Sequence, residues 1–140
     1  MEWIVYFHGI FGERVLPLLI VLAAIWFTVT WKAPAPDTPR TLAARIFPQL
    51  VTLQFSLGFV YWLYGIIAIG QAGRYLGFPF ILHPILGLLA VLLAHWAVTN
   101  RPERNAFTRT LARLGRWSVV AAMGLLLGVV LLSTVIAYAI

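Results

Sequence analysis

The charged residues of this chain are confined to a few short segments, and the gaps between them decide what it can fold into. No Asp, Glu, Lys or Arg occurs between Arg45 and Arg74, between Arg74 and Arg101, or from Trp117 to Ile140. A helix that crosses a bilayer needs about 20 predominantly apolar residues, so each gap can hold one crossing. Val15 to Trp31 is a fourth, shorter apolar run. The 140 residues are 62% hydrophobic and 10% charged, whereas a soluble domain carries roughly 25% charged residues. A globule this small has too little interior to hide so much apolar surface. The expected fold is all-α: an integral membrane four-helix bundle forming one domain over residues 1–140, with spans near 4–31, 46–70, 81–98 and 117–139.

Proline, glycine and capping residues mark the breaks. Pro17 lacks a backbone donor and is expected to kink or restart the first helix. The segment before it, with His8, Glu13 and Arg14, is amphipathic. Pro34, Pro36 and Pro39 forbid a continuous helix after Trp31, and Thr38-Pro39 reads as an N-cap followed by proline at the first helical position. Gly73, Gly77 and Pro79 make a turn before the third span. Asn105 can cap a short basic helix in which Phe107, Leu111 and Leu114 share one face and Arg109, Arg113 and Arg116 another. That helix suits the membrane surface, or else extends the fourth span. The N-terminus has no basic region of the kind that opens a cleavable signal, so the first span is expected to be retained.

Basic residues set the orientation. Lys32, Arg40 and Arg45 follow the first span, and Arg101, Arg104, Arg109, Arg113 and Arg116 follow the third. These are eight of the ten Lys and Arg. Lysine and arginine accumulate in cytoplasmic loops, which predicts both termini outside and a bacterial inner (cytoplasmic) membrane location. The net charge of +6 then serves topology and anionic lipid, and nucleic acid is not an expected partner. The absence of cysteine excludes disulfides, thiolate metal sites and covalent c-type haem attachment.

Three histidines are the candidates for chemistry, since ionisable side chains in a bilayer are uncommon and often functional. His8 and His83 lie at similar height near the outer face. Two imidazoles on neighbouring helices can ligate one b-type haem; the alternative is a pair of headgroup-level histidines bonded to water, backbone or lipid. His95 lies near the cytoplasmic end of span three, at roughly the depth of Gln54 and Thr28. Those groups are either a polar cluster that joins helices or a contact to a quinone carbonyl. Glu13-Arg14 reads as a local ion pair, or as the first-helix acid of a small drug exporter. Gly124 and Gly128 form a GxxxG motif, and Ser133 and Ala137 are taken to continue its small-residue stripe for helix packing. No carboxylate pair, nucleophile–base pair or phosphate loop is present, so no enzymatic activity of its own is expected.

The positions His8, Leu53-Gln54, His83-Pro84 and Ala94-His95 together resemble small four-helix bacterial membrane proteins described as cytochrome b-like. The likeness covers most of the chain, including the basic loop after the third helix. Leu82 stands where that family often has an acidic residue, and Arg14 follows His8 at a longer interval than the family's arginine. The resemblance implies an accessory or cytochrome b-like subunit of a quinol-oxidising, respiratory or photosynthetic electron-transfer complex. Such a subunit packs against larger subunits and borders a haem b or quinone. The alternatives are a small oligomeric transporter or channel, and a membrane assembly factor.

Overall fold

The computed structural model describes residues 1–139, and every regular element among them is helical. The elements are α1 (Glu2–Ile10), a π turn (Phe11–Val15), α2 (Leu16–Val29), α3 (Leu42–Ile67), α4 (Ala72–Leu76), α5 (Leu82–Ala97), a 3-10 turn (Pro102–Arg104), α6 (Ala106–Ala112) and α7 (Trp117–Tyr138). Three helical stretches are long and apolar enough to cross a membrane: Glu2–Val29, Leu42–Ile67 and Trp117–Tyr138. The helix expected as a third span, α5, has 16 residues. At 1.5 Å per residue it rises only about 24 Å, short of a hydrocarbon core of about 30 Å.

The first helix is not broken at Pro17. It runs on through the π turn, whose wider loop relieves the clash that a proline ring makes with the carbonyl four residues back. Pro48 is likewise absorbed within α3, and the Thr52 hydroxyl donates to the Pro48 carbonyl at 2.9 Å. α3 starts later than Thr38-Pro39 suggests. Thr38 N–H is taken by Ala35 O in a turn, and Thr41 is the cap, accepting from Ala44 N–H at 3.3 Å. Asn105 caps α6 as expected, accepting from Thr108 N–H at 2.9 Å. α6 does not continue into α7, because Gly115 adopts a φ of 58° between them, a left-handed conformation that glycine takes without strain.

The long helices close into a ring: α1 packs on α3, α3 on α5, α5 on α7, and α7 on α2. Their common core is Leu16, Ile20, Val51, Leu93, Met123 and Leu126, with Ala90 and Ala94 where α5 meets its neighbours. Small side chains there let backbones approach, which is how helices gain contact when lipid removes the hydrophobic drive. The exterior is as apolar as the interior, with Leu18, Trp26, Leu132 and Val135 all exposed. Such a surface is compatible with a lipid-embedded protein and is rarely seen on a soluble monomer. The small-residue stripe divides: Gly124 and Gly128 are exposed with open space beside them, whereas Ser133 is buried. At 100° per residue the five-residue step from Gly128 to Ser133 carries it far round the helix.

Candidate functional site

One end of the ring gathers polar groups from α1, α3, α5 and α7. His8 on α1 and Gln54 on α3 hold each other by two bonds. His8 Nδ1 lies 3.1 Å from Gln54 O, and Gln54 Nε2 donates to His8 O at 2.7 Å. A carbonyl can only accept, so Nδ1 carries the proton and Nε2 keeps its lone pair. Across the ring, His83 in the first turn of α5 repeats the arrangement on α7. Its Nδ1 lies 2.9 Å from Ser133 O and 2.8 Å from Ser133 Oγ, which again leaves Nε2 free. The two imidazoles are neighbours in an edge-on arrangement, with centroids 6.1 Å apart and planes at 89°. A second partner that fixes Nδ1 is the usual device for orienting a ligating histidine.

Glycines make the room for this arrangement. A Cβ on Gly58 would overlap the imidazole of His8, and one on Gly12 would overlap the Gln54 amide. Glycine inside a helix costs about 1 kcal/mol relative to alanine, so both positions hold close contacts at the expense of local stability. A cavity of about 290 Å³ lies here, bounded by His8, Gln54, Gly58, Phe80, His83 and Ser133 among others. Gln54 is 7% exposed, and its Oε1 is buried with no hydrogen-bond partner among the described residues. A buried acceptor left unpaired typically costs about 1–3 kcal/mol. The site therefore contains an acceptor for which the described residues supply no donor.

The surrounding shell is aromatic. Phe80 lies 5.8 Å from His83 and 5.1 Å from Tyr75. Tyr75, on the short α4, packs against Gly65 and shares a 3.2 Å hydrogen bond with the Tyr61 hydroxyl. Burial, and then that bond, push the Tyr75 phenol above its ordinary value. Trp62 Nε1 donates to Tyr75 O at 3.0 Å, which pins α4 over the end of α3. Glu13 does not turn to its neighbour Arg14, because consecutive residues on a helix do not face each other. It accepts from the Tyr138 hydroxyl at the far end of α7.

The structure separates the second pair of candidates. Gln54 belongs with His8, whereas His95 Nε2 lies 3.2 Å from Thr52 Oγ1. The single Thr52 hydroxyl proton goes to Pro48 O, so His95 donates and its Nε2 is occupied. Thr28 bonds to its own backbone, donating to Ala24 O at 2.6 Å. The expected polar cluster of His95, Gln54 and Thr28 thus reduces to the bond between His95 and Thr52. Ser133, Gly58, Gly12 and Tyr138 were not read as site residues from the sequence. The mid-helix glycines carried the available signal, since glycine inside a helical pattern points to a close approach. Comparison with family models, curated proteins and solved structures returns no match.

Proposed function

We propose that this chain is a cytochrome b-like subunit of a membrane electron-transfer assembly, holding a b-type haem between His8 and His83. On this reading the two termini lie outside and α5 is a fourth crossing. Hydrogen-bonded turns from Gly77 to His83 lengthen α5 at its start.

The observation that carries the proposal is the pair of imidazoles, each fixed through Nδ1 by a backbone carbonyl of another helix and each with Nε2 free. With the rings 6.1 Å apart, two imidazole nitrogens that bond nothing among the described residues are a donor set of the kind that would hold a haem b. A haem b in this place would supply one-electron transfer. The chain supplies its orientation, through Gln54 and Ser133, and an apolar aromatic wall through Phe80 that keeps water away. Gly124 and Gly128, facing outward with nothing beside them, support the subunit role, since small residues allow a neighbouring helix to pack closely.

Purification in mild detergent followed by a pyridine-haemochrome spectrum tests the reading. The expected result is a b-type absorbance that disappears in both His8→Ala and His83→Ala. No absorbance in the wild type, or absorbance unchanged in the two variants, overturns it.

A further inference from the structure

The opposite end of the ring holds a second and larger cavity, of about 820 Å³, between the ends of α2 and α5, the loop after α2 and the start of α7. Its size is within the range of ligand pockets, about 300–1,000 Å³. Trp26, Phe27, Trp31 and Trp96 line it, with Lys32 and Arg40 the charged residues among its walls. No carboxylate lines it: Asp37 lies in the same loop and Glu103 in the next, but neither belongs to the walls. The loop is tied across the cavity by Asn100 Nδ2, which donates to Thr38 O at 3.3 Å. Among the described residues no protein acceptor takes the indole N–H of Trp26, Trp31 or Trp96; Trp62, at the other end, is the tryptophan whose N–H is so used.

We infer that this cavity is a binding site for an anionic phospholipid. Lys32 and Arg40 hold the phosphate, the free indole N–H groups face the glycerol ester region, and the acyl chains run down past Trp26 onto the apolar flank of α2. The occupant follows from where the cavity lies and what it offers. It sits at the ends of helices whose outer faces are apolar, so its rim is at headgroup level. Tryptophan concentrates at that level, with its ring in the apolar zone and its N–H toward polar groups. Two cations with no opposing carboxylate select a net negative headgroup over a zwitterionic one. This inference needs the helices to lie in a membrane and is independent of any haem at the other end.

Native mass spectrometry of the intact protein, released from detergent, is the test. Dioleoyl phosphatidylglycerol, dioleoyl phosphatidylcholine and inorganic phosphate are added separately over a range of concentrations. Each basic residue near a membrane surface contributes about 1 kcal/mol to anionic lipid binding, so phosphatidylglycerol should bind about tenfold or more tightly than phosphatidylcholine. The Lys32→Gln/Arg40→Gln double variant should lose that preference. An Arg109→Gln/Arg113→Gln variant, altered on basic residues outside the cavity walls, should keep it. Equal binding of the two lipids, or loss of preference in both variants, overturns the inference. So does displacement of phosphatidylglycerol by millimolar inorganic phosphate, which would mark a small-anion site.

Discussion

At the end that holds His8 and His83, polar side chains are answered by groups on other helices: α1 by α3, α5 by α7, and Glu13 by Tyr138. At the end that holds Lys32 and Arg40, hydroxyls such as Thr28 and Thr30 fold back onto their own helix, His95 reaches Thr52 of α3, and Asn100, just after α5, ties the loop that follows α2. The first end is a set of fixed distances, and the second is a charged, aromatic hollow. Geometry of the first kind suits a ligand whose orientation must be reproduced closely. The second kind suits one recognised by charge and amphipathic shape.

The comparison is broken most severely at Gly58. Any side chain there meets the imidazole of His8, so Gly58→Val should abolish the haem absorbance while far-UV circular dichroism stays that of the wild type. Full haem retention would show that His8 is free to move and that the end is not fixed. Gln54→Leu is a milder change. It removes the Gln54 bond to His8 O, whose carbonyl keeps the Phe11 N–H, a loss of about 0.5–1.5 kcal/mol, partly offset by relief of the unpaired Oε1. Thermal unfolding in detergent should show a lowered Tm, and haem affinity should fall without being lost.

Alkaline pH gives a smaller effect at the same end. Tyr75 has a phenol pKa raised above 10.0, so its folded-state contribution is complete below pH 10 and is lost as pH climbs through the raised value. The tyrosinate absorbance of Tyr75, read as the difference from a Tyr75→Phe variant, should rise later than that of a free phenol. The smallest expected effect is His95→Ala. It removes one interhelical hydrogen bond, worth about 0.6 kcal/mol in membrane helices on average, and should leave the haem spectrum unchanged. A spectral change would connect the two ends.

The helices were legible because charge is scarce in them: the gaps ending at Arg74, at Arg101 and at the C-terminus hold α3 beyond Arg45 in its first turn, and the whole of α5 and α7. The grouping of His8 with His83 was legible as well, since the basic loops set both on one side. The partners were not. Gln54 was matched to His95 by estimated depth, and depth carries no information on which way a side chain points round its helix. Ser133 was assigned to the glycine stripe as if it continued the four-residue spacing, but it lies five residues beyond Gly128, and that step sets it on the buried side. Glu13 was read beside Arg14 because they are neighbours in the chain, whereas its hydrogen-bond partner is 125 residues away.

The π turn at Phe11–Val15 acts as a phase adjustment for the first helix. Along an unbroken α-helix His8 would stand roughly 120° from Ile20 and 80° from Leu16, both of which are buried in the core. One extra residue taken up in the wider turn rotates everything before it by about 100°, and His8 comes to within roughly 20° of both. The inward aim of His8 is therefore set by how many residues separate it from Leu16. A one-residue insertion in this turn would keep the helix and every polar side chain that bonds across the ring, yet carry the imidazole about 100° round toward the exterior.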